Sequence, residues 1–265
     1  MQSALISPAS ASFLGIPLNI VYILIPLAGI GIFAYIIFKR IEPLLKAAPD
    51  DRFNRFAERI QSVIKIWLAQ WRHPRYLLAG VVHIFLFAGF LILGARSTQL
   101  VFMGFVEGFE LPGFSGAFGA FYNVLKDFAT TWVLIAVAVA AVRRGLFKPA
   151  RYAVPPQYGR DHTWEALLVL GLIATLVISE SLFEASLVAA QIQKGSHTEI
   201  VAPLTLMWFY RHLLIDASPS RLQGLHSFTF YIHEITFFFF LSFLTMGKHF
   251  HVIISIFIVF FMSLD

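Results

Sequence analysis

The sequence predicts an all-α membrane protein with five transmembrane helices, an amphipathic cytoplasmic helix and a short interfacial helix. Three observations carry this expectation. The chain is 58% hydrophobic and 13% charged, with a mean hydropathy of +0.76, too apolar for an ordinary soluble domain. Its apolar residues gather into five runs that match the roughly 30 Å hydrocarbon thickness of a bilayer. There is no cysteine, which excludes covalent haem c attachment, cysteine-ligated iron–sulfur clusters and disulfides within this chain. The start, MQSALISPASASF, lacks the basic residues of a signal peptide, so the first apolar run is expected to stay as a helix.

Ile16 to Phe38 is the first expected span, ended by Lys39 and Arg40. Asp50 to Gln70, DDRFNRFAERIQSVIKIWLAQ, sets apolar residues three to four apart with charges between them. That pattern reads as a helix lying on the membrane face, with a solvated connector as the alternative. Pro74 opens the second span, Tyr76 to Ala95, because proline suits a first helical position. Ser97 to Leu125 is Gly- and Phe-rich and reads as a partly buried loop. The third span, Phe128 to Val142, is short unless it begins near Asn123; Arg143 and Arg144 stop it, and the Pro-rich loop KPARYAVPPQYGRD follows. The fourth runs from Trp164 to about Ala190 and contains Glu180 and Glu184. Ile200 to Leu214, interrupted by Pro203, reads as a re-entrant or interfacial helix. Leu225 to Met246 is the fifth span. Val252 to Met262 is too short to cross again and is expected in the interface or packed on a partner. Residues 1–265 thus form a single transmembrane domain.

The formal net charge is +5, which in such a protein reflects loop charge and orientation. No basic stripe interleaved with exposed aromatics points to nucleic acid. The first-to-second loop carries Lys39, Arg40, Lys46, Arg52, Arg55, Arg59, Lys65, Arg72 and Arg75; the third-to-fourth carries Arg143, Arg144, Lys148, Arg151 and Arg160. The opposite side holds Arg96, Lys126, Lys194, Arg211 and Arg221. The bias of positive charge to the cytoplasm places the N-terminus outside and the C-terminus inside. The second and fifth spans are then antiparallel.

Histidine inside a membrane segment is costly and usually faces a partner, a cavity or a metal. The second span carries His73 at its entrance and His83 within; the fifth carries His226 and His233 near its start and His249 and His251 near its end. Eighteen residues are five helical turns, so His233 and His251 are expected on one stripe about 27 Å apart, with His73 and His83 about 15 Å apart. Antiparallel order pairs His83 with His233 and His73 with His251. Neutral imidazole is a good axial ligand for haem iron, and Gly80 and Gly89 would give a macrocycle clearance. A bare interhelical hydrogen bond is the competing role for each single histidine. His226 is an alternative ligand, and His249 points elsewhere. His162, His197 and His212 read as solvated.

These residues resemble the cytochrome b gamma subunit of respiratory nitrate reductase, whose second and fifth spans carry histidine pairs ten and eighteen apart. The basic run RRGLFKP, Arg143 to Pro149, is also similar to that subunit's cytoplasmic loop. The resemblance is closer to the membrane domain of heterodisulfide-reductase-like iron–sulfur oxidoreductases. Its GxxH element matches Gly80 to His83, followed by FLFAGF; its histidine after two aromatics matches His233, and its KHxH element matches Lys248 to His251. Asp127 and Glu180 also fit.

The resemblance implies two b-type haems with His83, His233, His73 and His251 as axial ligands. It also implies a cytoplasmic iron–sulfur subunit or flavoprotein as partner, and quinone or menaquinone as substrate in a prokaryotic inner membrane. Glu180, Glu184 and Asp127 are candidates for quinone proton exchange, with helix packing as their plainer role. In many members of that group an iron–sulfur domain follows directly. Here it would be a separate subunit, or the sequence is truncated. The rival classes are a proton-relay transporter, in which the histidines carry protons, and a structural membrane anchor.

Overall fold

The computed structural model describes residues 4–13, 15–48, 50, 52–75, 77–148, 163–196 and 201–264. The Pro-rich loop after Lys148 with Arg151 and Arg160, and also His162 and His197, lie outside the described residues. Among those described, five helices are long and apolar enough to cross a membrane: Leu18–Leu45, Leu77–Met103, Gly116–Phe147, Thr163–Gln193 and Pro219–Met246. A two-residue antiparallel ladder, β1 (Ser12–Phe13) with β2 (Ile16–Pro17), precedes them.

The first span is built from α1 (Leu18–Tyr22) and α2 (Leu24–Leu45). The second is α4 (Leu77–Met103), the third α5 (Gly116–Val142), the fourth α6 (Thr163–Gln193) and the fifth α8 (Pro219–Met246). Among the described residues there are also three shorter α-helices: α3 (Phe56–Ser62), α7 (Leu206–Leu214) and α9 (His251–Phe260). The expected loop from Ser97 to Leu125 is largely helical instead. Helix α4 runs on to Met103, and α5 begins at Gly116 rather than Phe128. The charges at Arg96, Lys126 and Asp127 do not end these helices because they are paired inside the protein. Arg143 and Arg144 likewise fail to stop α5, which continues through a π-helical turn to Phe147.

The chain divides into two compact units, with boundaries inside the first, second and fifth spans. The first comprises Met1–Pro26 and Phe85–Phe237. Here Ser181, Ala185 and Ala189 recur every fourth residue on α6 and are fully buried. Small side chains at that spacing let neighbouring helices approach closely. Ala185 and Val188 meet Met207 of α7, and Ala189 and Ala190 meet Leu222 of α8. Val133 and Val137 of α5 close on Val177 of α6. Helix α7 is the expected short helix, reduced to nine residues. Its free N–H groups are met by two threonines: Trp208 N–H donates to Thr205 at 3.2 Å and Leu206 N–H to Thr131 of α5 at 2.9 Å.

The second unit comprises Leu27–Ile84 and Phe238–Asp265. Gly29 lets α2 lie directly on α8, since a Cβ there would come within 2.5 Å of Phe238. The amphipathic segment of residues 50–70 is α3 followed by a π-helical stretch, Val63–Leu68, and it packs against α9. Thus the partner expected for residues 252–262 is this chain's own amphipathic segment. Arg59, nearly fully buried, donates to the carbonyls of Phe260 and Met262 at 2.9 and 3.0 Å and is held by Asn54. Arg52 donates to the Phe261 carbonyl at 2.6 Å. Both guanidinium groups satisfy the orphan carbonyls and the negative end of the α9 dipole. Arg40 does the same for α8 through the Met246 carbonyl at 2.6 Å, while lying over the Phe250 ring.

Replacing Arg59 with alanine is expected to cost about 1–3 kcal/mol by orphaning buried carbonyls. In thermal unfolding in mild detergent, Arg59→Ala should melt well below wild type. Arg55→Ala, which removes an exposed pair with Glu58, should melt closer to it.

Candidate functional site

In the first unit, three helices deliver five charged side chains to one buried place. Arg96 of α4 donates through Nε to Glu180 Oε1 of α6 at 3.0 Å. Lys126 of α5, with no exposed surface, pairs with Glu184 Oε2, with Glu180 Oε1 at 3.6 Å and with Asp127 Oδ1 at 3.5 Å. Glu180 and Glu184 stand one turn apart on α6, so one cation can span both. Charge is tolerated here because each ion meets an opposite one; a lone carboxylate would suffer the desolvation cost without repayment.

His233 of α8 lies in the same unit and is buried. Its Nδ1 faces the Leu176 carbonyl of α6 at 3.2 Å, and its Nε2 lies 3.2 Å from Ser97 Oγ of α4. A carbonyl only accepts, so Nδ1 carries the proton and Nε2 keeps the lone pair. His226 repeats the pattern, with Nδ1 on the Phe183 carbonyl at 2.9 Å and the Phe183 ring stacked over it. A backbone acceptor on one ring nitrogen is what orients a histidine for metal ligation through the other. In donor chemistry and tautomer, both residues therefore fit an axial haem ligand.

The second unit holds His73, His83, His249 and His251. His73 sits in a single 3-10 turn, His73–Arg75, whose carbonyl folds onto Gly80, where a Cβ would approach to 1.9 Å. The ten-residue spacing is thereby not a helical rise: the His73 and His83 rings stack with centroids 4.3 Å apart and planes 11° apart, not about 15 Å apart. His73 Nδ1 is buried with no hydrogen-bond partner among the described residues.

The eighteen-residue spacing is interrupted too. Helix α8 ends at Met246, Gly247 is extended, a 3-10 turn covers Lys248–Phe250, and His251 opens α9. His233 and His251 do not share one helical stripe. The glycines expected to clear space for a macrocycle are already filled. The His73 carbonyl occupies the face of Gly80, and Val133 that of Gly89. Among the described residues, no three His, Asp or Glu side chains converge in a set able to hold a metal ion. Haem asks the protein for two axial ligands, so that arrangement does not conflict with it.

Arg96 and Lys126 were read from sequence as loop cations, and their part in the ion network was missed. Glu180 and Glu184 on one helix face supplied the signal, since two buried carboxylates require cations nearby. Glu234 was also missed. It is fully buried on α8 and accepts a hydrogen bond from Tyr22 at 2.8 Å. Tyr22 fits because position 104 is glycine, where a Cβ would lie 2.1 Å from the Tyr22 ring.

No family model matches the chain, and no solved structure matches it. The chain is similar to a protein of Syntrophomonas wolfei named EtfAB:quinone oxidoreductase, with 25% identity over 245 residues. The alignment covers 91% of this chain and 33% of that protein, so the chain spans about a third of the relative's length. The relative's name describes a quinone-linked oxidoreductase, and the present fold, with five helices able to cross a membrane, is compatible with an integral membrane protein.

Because Lys126 compensates several carboxyls at once, Lys126→Met is expected to cost about 3–5 kcal/mol, the penalty of breaking a buried pair. Adding Glu184→Gln should recover part of that loss. Denaturant unfolding of the two variants beside wild type measures both terms.

Proposed function

We propose that the chain is a membrane electron-transfer subunit of an oxidoreductase, a di-haem cytochrome b acting between a cytoplasmic partner and the quinone pool. His83, His233, His73 and His251 are the axial ligands in this reading, and the partner is an iron–sulfur subunit or a flavoprotein. The observation that carries it is His233: a buried imidazole within a membrane span, its Nδ1 fixed by the Leu176 carbonyl and its Nε2 lone pair turned to Ser97 Oγ, a contact that ligation would replace. The unpartnered, buried Nδ1 of His73 supports a ligand role in the other unit. The pairing of His83 with His233 rests on their place in the sequence, since the two residues belong to different units. The relative's printed name, which joins EtfAB to quinone, agrees with the class of reaction.

Haem b, when bound, supplies a one-electron carrier. The protein's own part is to hold the imidazoles in the correct tautomer, to exclude water around them and to manage protons. Glu180, Glu184 and Asp127 form the carboxyl cluster from which protons are exchanged with quinone in this scheme. In this reading the C-terminus is cytoplasmic, and the loop charges support it. With Arg96 and Lys126 counted inside helices, only Lys194, Arg211 and Arg221 remain opposite the two basic loops. Of those basic loops, Arg40, Arg52 and Arg59 are engaged in helix capping.

The buried ion network also favours a second reading, a proton-relay transporter. One spectrum separates the two. Protein purified from cells supplied with haem should show a b-type reduced-minus-oxidised difference signal. That signal should be diminished in His83→Ala and in His233→Ala and kept in His226→Ala. A spectrum without a b-type band, together with proton flux in liposomes, would establish the transporter instead.

A further inference from the structure

The ion network does not balance. Among the described residues two cations, Arg96 and Lys126, face three carboxyl groups, Glu180, Glu184 and Asp127, all drawn from membrane-spanning helices. With every carboxyl ionised the cluster would hold one uncompensated negative charge in a site of low dielectric, a cost several times that of binding a proton. A bound proton removes that charge. Which group holds it follows from how the cations are shared. Glu180 accepts from Arg96 at 3.0 Å and lies 3.6 Å from Lys126. Glu184 takes the closest contact of Lys126. Asp127 has Lys126 alone, at 3.5 Å, and that ammonium already serves both glutamates.

We propose that the cluster carries one exchangeable proton and that Asp127 is its holder, with Glu180 and Glu184 acting as fixed counter-ions to Arg96 and Lys126. The use of that proton in quinone chemistry rests on the function proposed above; its presence on Asp127 does not. The charged groups facing Asp127 are Lys126 from its own helix and Glu180 and Glu184 from α6. Arg96 of α4 acts through Glu180, and the Tyr122 hydroxyl is turned away to donate to the Ile92 carbonyl at 2.8 Å. Asp127 is nearly fully buried, and the Thr130 and Thr131 hydroxyls donate to its backbone carbonyl. The turn that presents it is therefore pinned while its side chain remains the least compensated group in the network. This divides labour among the three carboxyls: two hold the helices together, and one can release and regain a proton at the cost of only its 3.5 Å contact with Lys126.

Infrared spectroscopy of the full chain in lipid nanodiscs at neutral pH tests this in the unaltered protein. Growth on aspartate isotopically labelled at its side-chain carboxyl shifts only aspartate bands. A protonated-acid carbonyl band that moves on labelling, and that disappears in Asp127→Asn, is the expected result. Glu184→Gln should abolish the same band, because two cations then face two carboxylates. Glu234 absorbs separately and should not respond to aspartate labelling. An acid region unmoved by labelled aspartate in wild type would overturn the assignment, whatever the variants do. A band that shifts on labelling yet persists in Glu184→Gln would overturn the charge-balance explanation. Neither outcome depends on haem or quinone, so the proposal can fail while the electron-transfer reading stands.

Discussion

The pairing of Arg96 and Lys126 with Glu180 and Glu184 is the interaction on which the first unit depends. In lipid the hydrophobic effect does not drive helices together, so packing of small residues and polar contacts must do so. Helices α4, α5 and α6 each bring charge that none could carry alone. Their association is enforced because separating them would leave ions in hydrocarbon. The same requirement extends α4 and α5 beyond the ends that their charges suggest. Arg96 and Lys126 sit where helix termini were expected, and pairing turns each from a stop signal into an internal contact. His233 inherits its surroundings from this arrangement. Ser97 follows Arg96 and Ser179 precedes Glu180, and both serines reach its ring.

Much of the fold was legible in the sequence. The five spans, the short helix before the fifth and the amphipathic segment all follow from apolar run length and periodicity. What sequence could not show is how polar side chains and backbone termini are satisfied. Arg40, Arg52 and Arg59 read as members of a basic cytoplasmic loop, yet their guanidinium groups cap the carbonyl ends of α8 and α9. That pairing joins residues about two hundred positions apart, beyond any local pattern. It also explains why the segment after His251, too short to span a membrane, forms a helix: its open end is closed by arginines from the amphipathic segment.

The histidines were legible as a set and misleading as a ruler. Spacings of ten and eighteen suggest helical stripes, but each interval crosses a break. Proline at position 74 ends the regularity before His83, and glycine at position 247 ends α8 before His251. Local chain geometry, not helical rise, therefore decides which rings meet, and it stacks His73 on His83. His233 is held by a hydrogen bond to the Leu176 carbonyl that no periodicity could reveal. Glu234 was invisible because its partner, Tyr22, lies in the first span and fits only beside the glycine at position 104.

The central claim is that imidazoles of this chain ligate haem iron in pairs. Low-temperature electron paramagnetic resonance of the oxidised, lipid-reconstituted protein tests it most directly, because bis-imidazole ferric haem is low-spin. The account predicts low-spin ferric signals that are altered when His233 is replaced. Haem-supplied protein that shows no haem signal, or only a high-spin one, would contradict it.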